Sequence, residues 1–324
     1  MTAQTPHSEV LLSVEHLSRH FGPIQAVQDI SFTLNRGEVL GFLGPNGAGK
    51  STTMKMLTGN LSPSRGSITI NGHDILDEPK QAKMLLGYLP EQPPVYRELT
   101  VDEYLSYCAR LNRIRPPQRA QALANAKARC GLDEVGRRLI GNLSKGFQQR
   151  VGIAQAIIHA PDLVILDEPT VGLDPIQIRE IRELIRDLGK EHSVILSTHI
   201  LPEVLSTCNR VQIINKGRLV YNDTIAGLNQ RMQTSSLLVQ FTRGPNKNAL
   251  SAIPGVTTVE TLEPQRFRLH YLPEQNPAER LVELSVQQNW GLCELTPERR
   301  TLEEIFVDLT CSEPAAPHVE QEVA

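Results

Sequence analysis

The residues best suited to chemistry form the run Gly44-Pro-Asn-Gly-Ala-Gly-Lys50-Ser51, which follows the apolar segment Val39–Leu43. Its glycines let successive backbone N–H groups face an anion, and a helix that begins near Lys50 would add the positive end of its dipole. The Lys50 ammonium can reach phosphate oxygens, and the Ser51 hydroxyl can bind Mg²⁺. A chance Gly-rich turn is the alternative, but the setting between a strand and a helix disfavours it. The predicted phosphate cradle comprises Gly44, Pro45, Asn46, Gly47, Ala48, Gly49, Lys50, Ser51 and Thr52.

A second apolar run, Leu163–Leu166, ends in the adjacent carboxylates Asp167 and Glu168. The run predicts a buried strand, and neighbouring residues of a strand face different ways. Asp167 can then hold Mg²⁺, directly or through water, while Glu168 orients or deprotonates an attacking water. Alone, the pair is better explained as a solvated strand end. After a phosphate cradle, it predicts the metal and water side of the same site.

Further segments stand in order around these two and carry a family resemblance. The run Leu143-Ser-Lys-Gly-Phe-Gln-Gln-Arg150 resembles the signature of ATP-binding cassette (ABC) proteins, which is usually Leu-Ser-Gly-Gly-Gln. Gln92 resembles the Q-loop glutamine, Gly172-Leu-Asp174 resembles the D-loop, and His199 resembles the switch histidine. Phe21 resembles the aromatic residue that stacks on adenine.

The resemblance covers residues 11 to about 225 and implies an ATPase that works as a pair of cassettes. Ser144 and Gly146 would contact ATP held by Lys50 of a second copy or of a homologous cassette. The implied catalytic residues are Glu168, His199 and Gln92, and the implied Mg²⁺ ligands are Ser51, Gln92 and Asp167. The implied ATP contacts are Phe21, residues 44–52, Ser144, Gly146 and Asp174.

Several of these assignments have a plainer alternative. Gln92 could be an ordinary loop amide, His199 a hydrogen-bonded core imidazole, and Phe21 a core aromatic side chain. The signature itself departs from the usual form, because Lys145 replaces the first glycine and Phe147 replaces the glutamine. The geometry around those two positions is therefore left open by the sequence.

These features imply an α/β fold class: a P-loop NTPase ABC cassette with a mixed-sheet core over residues 10–228 and an inserted helical subdomain over about 93–155. After about residue 230 the predicted order is strand, helix, strand, strand, helix, strand, which matches a small C-terminal α+β ferredoxin-like domain over 234–311. A tail over 312–324, rich in Glu, Pro and Ala, is predicted to be disordered. The predicted cassette strands include 11–14, 30–34, 39–43, 67–70, 163–166, 193–197, 211–214 and 218–221.

The segment Thr301–Thr310 predicts a closing helix with an apolar stripe at residues 302, 305, 306 and 309. Its Leu-Glu-Glu-Ile-Phe run resembles ATP-binding subunits of the ABC-2 exporter type, including the gliding-motility-associated group. Self-association or regulation is one hypothesis for the C-terminal domain. A simple stabilising appendage is an equally open alternative.

Bulk properties restrict the class of protein. The net charge of -3 gives no overall basic field, so no nucleic-acid partner is expected, and the five cysteines have no metal-site or disulfide spacing. No stretch of about 18 apolar residues is present that could cross a bilayer. The family resemblance then implies a cytoplasmic subunit, peripheral on the inner face of the cell membrane, that drives integral-membrane permease subunits for export.

Two alternatives to a transport subunit are compatible with parts of the sequence. A soluble ABC ATPase could act on ribosomes, DNA or a cofactor-assembly machine, although one cradle, no sustained heptads and an extra C-terminal domain disfavour those types. A regulatory protein without ATPase activity is disfavoured by the complete set of Lys50, Ser51, Gln92, Asp167, Glu168 and His199.

Overall fold

The chain divides into two compact units, with the division between Ile225 and Ala226 in the computed structural model. The structure describes residues 9–272 and 274–299. The predicted closing helix at 302–309 and the predicted tail at 312–324 lie outside the described residues. The domain limits proposed from the sequence therefore stay a prediction.

The core of the first unit is a six-stranded sheet in the order β10-β9-β3-β8-β7-β6. Its first five strands along the chain run parallel, and β10 returns antiparallel to β9 through a turn at Lys216 and Gly217, both with positive φ. Because carboxyl ends of parallel strands meet at one edge, the residues after β3, β6, β7 and β8 lie together. The strands are β3 (Val39–Leu43), β6 (Leu86–Leu89), β7 (Leu163–Asp167), β8 (Ser193–Thr198), β9 (Arg210–Asn215) and β10 (Arg218–Thr224).

A second, antiparallel sheet of the first unit has the order β2-β1-β4-β5. Its strands are β1 (Val10–Phe21), β2 (Ile24–Asn35), β4 (Arg65–Ile70) and β5 (His73–Asp74). The first two are longer than the predicted 11–14 and 30–34. His16 and Asp29 have positive φ, and the register between the strands shifts along their length. Such bulges interrupt the alternation of apolar and polar residues from which a strand is predicted.

The helices of the first unit include three that form the predicted inserted subdomain, α3, α4 and α5, which pack on one another. Thr100 caps α3 through the Glu103 backbone N–H, and the Glu103 carboxylate accepts in return from Thr100 N–H. Gly131 ends α4 in the left-handed conformation. The helices are α1 (Lys50–Leu57), α2 (Pro79–Met84), α3 (Val101–Leu111), α4 (Pro116–Cys130), α5 (Lys145–Ile157), α6 (Pro175–Leu188) and α7 (Leu201–Thr207), with short 3₁₀ turns at Asp133–Val135 and Ile140–Asn142.

Two apolar clusters hold these layers together. One lies between the antiparallel sheet and the parallel sheet, with Phe42 and Met54 completely buried in it. The other joins the helical subdomain to the opposite side of the parallel sheet through side chains such as Leu105, Val151 and Leu166. The parallel strands β3, β7 and β8 are buried along their full length, which explains their runs of consecutive apolar residues, such as 163–166 in β7 and 194–196 in β8.

The second unit has the ferredoxin-like topology predicted from the sequence. Its sheet order is β12-β13-β11-β14, with all neighbours antiparallel, and Leu237, Phe267 and Leu281 lie in its core. The chain enters it through α8 (Ile225–Met232) and continues as β11 (Gln233–Phe241), α9 (Lys247–Ser251), β12 (Val256–Glu263), β13 (Arg266–Tyr271), α10 (Ala278–Gln287) and β14 (Leu292–Arg299).

Candidate functional site

The phosphate cradle joins β3 to α1, as its sequence predicts. Gly47 and Gly49 have φ of 78° and 109°, which only glycine adopts without strain. A Cβ atom on Gly49 would stand 2.6 Å from the carbonyl oxygen of Ala26. The cradle therefore packs so closely against β2 that no side chain fits at Gly49.

Lys50, the first residue of α1, is buried and held by hydrogen bonds and an ion pair. Its Nζ donates to the carbonyl oxygens of Gly44 and Pro45 at 2.9 and 3.3 Å. It also lies 3.1 Å from Oε1 of Glu168, and the exposed fractions of the two side chains in that ion pair are only 5 % and 7 %. The ammonium thus stands between the cradle and the acidic strand end.

Asp167 closes β7 next to the start of α1. Ser197 Oγ on β8 donates to Asp167 Oδ1 at 2.8 Å, and Ser51 Oγ lies 3.4 Å from the same oxygen. Burial raises the pKa of Asp167, the two serine hydroxyls lower it, and the nearby Glu168 charge raises it again. A buried carboxylate held by hydroxyl groups beside a cavity is suited to a divalent metal.

Glu168 follows Asp167 with an unusual backbone. Its φ of 49° lies in the left-handed region, and its N–H donates to the Ser197 carbonyl at 2.9 Å. Such strain in a non-glycine residue is typical of functional sites. The side chain contacts His199, whose Nδ1 is 2.9 Å from Glu168 Oε2. Lys50, Glu168 and His199 therefore form one continuous chain of contacts.

A cavity of about 390 Å³ lies in front of the cradle. The predicted residues Lys50, Ser51, Glu168 and His199 line it together with four other cradle residues. The complete lining is Ala26, Asn46, Gly47, Gly49, Lys50, Ser51, Thr52, Glu91, Glu168, Val171 and His199. The residues that follow β3, β7 and β8 thus converge at the shared edge of the sheet.

Other predicted site residues do not line this cavity. Gln92 is exposed and is absent from the lining, whereas its neighbour Glu91 lines the cavity. Ser144, Gly146 and Asp174 are also absent from the lining. Phe21, Gly44, Pro45, Ala48 and Asp167 are likewise absent from the lining. The roles assigned to all the predicted site residues, inside the lining and outside it, stay predictions.

Sequence reasoning misses three lining residues, each for a different reason. Glu91 could have been found, because it is the carboxylate next to Gln92 in the same loop. Val171 lies between the predicted acidic strand end and the D-loop. Ala26 comes from β2, and only the tertiary approach of β2 to Gly49 brings it to the cradle.

The residues present suit Mg²⁺. Ser51 lines the cavity, and its Oγ lies 3.4 Å from Oδ1 of Asp167, so two hard oxygen donors stand close together. Mg²⁺ in phosphate sites uses few protein ligands together with phosphate and water oxygens. The described residues contain no group of three His, Cys, Asp or Glu side chains that could enclose a metal alone. The arrangement therefore fits a metal that is shared with a phosphate ligand.

The signature segment begins α5 with Ser144 as its N-cap. The Ser144 side chain accepts from Phe147 N–H at 3.4 Å and is exposed. Gly146 is buried against α6, where a Cβ atom would come 2.7 Å from Cδ of Gln177. Asp174 of the D-loop segment caps α6 by accepting from Ile176 N–H at 3.0 Å. The signature and the D-loop segment are neighbours within one chain.

Phe21 ends β1 with 45 % of its surface exposed. The Arg19 guanidinium lies over its ring, 4.7 Å from the centroid. Phe21 is therefore not a core residue, which removes the plainer alternative for it. An exposed ring backed by a cation is able to stack on a base.

Comparisons with known proteins agree with this arrangement. The family described as ABC transporter matches residues 27–171. The chain is 31% identical over 297 residues to the uncharacterized ABC transporter ATP-binding protein YxlF of Bacillus subtilis (strain 168), covering 92% of this chain and 98% of the relative. It is 31% identical over 306 residues to the linearmycin resistance ATP-binding protein LnrL of the same organism, covering 93% and 98%.

A solved structure also matches the cassette. This is cbiO1 from Clostridium perfringens, part of the ABC transporter complex cbiONQ, with a TM-score of 0.62 and 28% identity over 68% of this chain and 90% of that chain. No helix among the described residues has the length and apolarity needed to cross a bilayer. The cradle, the acidic strand end and these matches together show that the chain belongs to the ABC transporter ATP-binding protein family, as an ATP-binding ATPase subunit of a transporter.

Proposed function

We propose that the chain is the ATPase of an ABC-2 type exporter, similar to the gliding-motility-associated group, and that two cassettes close head to tail around two ATP molecules. One observation carries the dimer: the exposed Ser144 at the tip of α5 does not line the cavity formed by the cradle of its own chain. If Ser144 and Gly146 contact ATP, they do so on a partner cassette.

Within each composite site, the residues have distinct proposed roles. The cradle and Lys50 bind the β- and γ-phosphates, and Phe21 stacks on adenine. Ser51 and Asp167, with Gln92 from the loop after β6, would hold Mg²⁺, which would neutralise charge on the phosphate oxygens. Glu168 orients and deprotonates the attacking water.

His199 then has a defined part in this chemistry. Its Nδ1 contact with Glu168 orients the carboxylate, while the ring lines the cavity where a γ-phosphate would lie. Hydrolysis places two separated anions between the cassettes, and their repulsion favours opening. The cycle of closing and opening is the two-state element that drives a partner.

The direction of transport is proposed from relatives. LnrL is named for linearmycin resistance, and the chain matches it over nearly its whole length. A role in resistance is consistent with outward transport. CbiO1 is part of an ABC transporter complex, which supports permease partners and a place on the inner face of the cell membrane for this chain.

We propose that a permease subunit docks in a groove between α2 and the end of α3. A groove of about 370 Å³ there is lined by Lys80, Lys83, Met84, Leu111 and Arg113 among others. Met84 and Leu111 are 66% and 61% exposed. Large exposed apolar side chains ringed by cations suit a short amphipathic helix that carries acidic residues.

The sharpest test of the composite site is complementation between two inactive variants. Lys50→Ala removes the cradle cation, and Ser144→Arg blocks the signature tip. Mixed dimers of the two contain one intact site, in which Lys50 of one chain meets Ser144 of the other. We expect about a quarter of the wild-type ATPase rate per chain, because half of the dimers are mixed and each has one working site of two.

The proposal is contradicted if mixing the two variants restores no ATPase activity, provided that each variant still binds to the wild-type chain. A second measurement is the oligomeric state of Glu168→Gln by analytical ultracentrifugation. ATP with Mg²⁺ should convert this variant to a stable dimer, while the control Glu168→Gln with Ser144→Arg should stay monomeric. If ATP with Mg²⁺ leaves the oligomeric state of Glu168→Gln unchanged, as it should for the control, the nucleotide-sandwich dimer is refuted.

A further inference from the structure

A carboxylate outside the nucleotide cavity, that of Glu203 on α7, is completely buried. Thr170 Oγ1 donates to its Oε1 at 2.5 Å, and Thr198 Oγ1 donates to its Oε2 at 2.8 Å. Arg182 Nη2 on α6 lies 3.6 Å from Oε1. A charge removed from water needs such compensation, and both oxygens of Glu203 have it.

The two threonines belong to the segments that carry the Glu168–His199 contact. Thr198 immediately precedes His199, and Thr170 stands two residues after Glu168. The Thr198 hydroxyl also accepts from Ile200 N–H at 3.0 Å, so its own hydrogen is committed to Glu203. One carboxylate therefore ties the loop after β7 to the end of β8.

We propose that Glu203 is a positioning residue for ATP hydrolysis, which holds Glu168 and His199 in register through the hydroxyls of Thr170 and Thr198. This inference rests on the proposed roles of Glu168 and His199. Glu203 itself is not part of the cavity lining. It acts on the 2.9 Å contact between the imidazole and the catalytic carboxylate.

The geometry explains why a carboxylate of this length is needed. Two hydroxyl donors face two separate oxygens, so the amide of Glu203→Gln would present an N–H₂ donor to one of them. Glu203→Asp keeps the charge but shortens the side chain by one methylene, which cannot reach both threonines. In each variant one loop loses its anchor, while the cradle made by residues 44–52 is unaltered.

The test uses steady-state ATPase kinetics of the full chain with Mg²⁺ and ATP. For Glu203→Gln we expect kcat to fall about tenfold to thirtyfold and KM for ATP to change less than about twofold, because the lost contact orients the water-activating group and not the phosphates. Thr198→Val, which removes one hydroxyl and keeps the carboxylate, should lower kcat about threefold to tenfold.

Thr207→Val is the matched control. Thr207 is also a buried threonine of α7, and its Oγ1 donates at 2.5 Å to the backbone carbonyl of Glu203 rather than to the carboxylate. Its removal probes the stability of α7 alone. The kcat of this variant should stay within about twofold of wild type.

A double-mutant cycle with His199→Ala separates positioning from general destabilisation. If Glu203 acts through the pair, Glu203→Gln changes kcat by less than about twofold in the His199→Ala background. An equal loss in both backgrounds, or an unchanged kcat in Glu203→Gln and Thr198→Val, overturns the proposal. Should Glu203→Gln not fold, Thr198→Val carries the same cycle.

The same data distinguish this inference from the proposed catalytic roles. A wild-type kcat in His199→Ala would refute the role of His199, and the positioning role of Glu203 with it. A reduced kcat in His199→Ala together with a wild-type kcat in Glu203→Gln would refute only the role of Glu203.

Discussion

The ion pair between Lys50 and Glu168 leads to a prediction about ATP affinity that is separate from any effect on turnover. The two charges are 3.1 Å apart and almost completely buried. A triphosphate that takes up the Lys50 ammonium must compete with the Glu168 carboxylate and also places negative charge beside it. Glu168→Gln removes that competitor while keeping the shape of the side chain.

The magnitude follows from the interactions of Lys50. We expect the cation to keep its two carbonyl acceptors, Gly44 and Pro45, with and without bound ATP. Only the Glu168 contact is then exchanged for a contact with phosphate. A hydrogen bond to a charged group contributes about 1.5–3 kcal/mol, and part of this is retained in Glu168→Gln because the amide oxygen of the variant still accepts from Lys50. A net gain of about 1.4 kcal/mol corresponds to tenfold tighter ATP binding.

The assay is titration calorimetry with ATP in EDTA, where neither hydrolysis nor Mg²⁺-dependent closure contributes to the measured affinity. His199→Ala is the control, because it removes the other partner of Glu168 and leaves the Lys50 contact in place. We expect Glu168→Gln to bind ATP about tenfold more tightly and His199→Ala to bind within about twofold of wild type. Equal affinities for wild type and Glu168→Gln would refute the competition.

Three further outcomes are expected. Burial raises the pKa of Asp167, so the stability that its protonated form contributes is lost as pH rises through that raised pKa. Asp167→Asn should therefore raise Tm at pH 7.5, as calorimetry would measure, and abolish ATPase activity. Phe21→Ala should weaken ATP binding about threefold to tenfold and leave kcat within about twofold, whereas Arg19→Ala should have a smaller effect on binding. Burial raises the pKa of Cys130 to about 12, so iodoacetamide at pH 8 should label the exposed Cys293 in the folded chain and Cys130 only after unfolding, as mass spectrometry would detect.

The parts of the site that the sequence predicts are those encoded by local runs. The cradle, the strand ending in Asp167 and the helix that begins at Lys50 need only short-range rules for glycine, apolar runs and helix starts. The ferredoxin-like order of the second unit is likewise predictable from alternating strand and helix patterns. These elements are confirmed in the part of the chain that the structure describes.

What the sequence does not predict depends on strand order. Placing β8 between β3 and β7 brings Ser197 to Asp167 and His199 to Glu168, and no local pattern encodes that order. The short helix α2 and strand β6 also escape prediction, since neither is long enough to show a period. Sequence reasoning overlooks Glu203 because its three partners come from different segments of the chain.

The departures of the signature from its common form have a physical explanation in the contacts between α5 and α6. Lys145 extends to Gly172, whose φ of 71° and lack of a Cβ atom leave room for the ammonium. Phe147 is half-buried, and the Arg150 guanidinium lies 5.8 Å from its ring centroid. Lys145 and Phe147 thus both make contacts within their own chain, although Lys145 is exposed.

The same arginine reaches across to α6, where its Nη2 is 2.5 Å from Oε2 of Glu180. Three contacts thus join α5 to the D-loop segment and α6. They are Lys145 with Gly172, Gly146 with Gln177, and Arg150 with Glu180. A displacement of the D-loop at a dimer contact would therefore carry the signature tip with it. In this chain the two replacements leave Ser144 and Gly146 in place, and Lys145 adds a contact between the two segments that we propose meet the partner cassette.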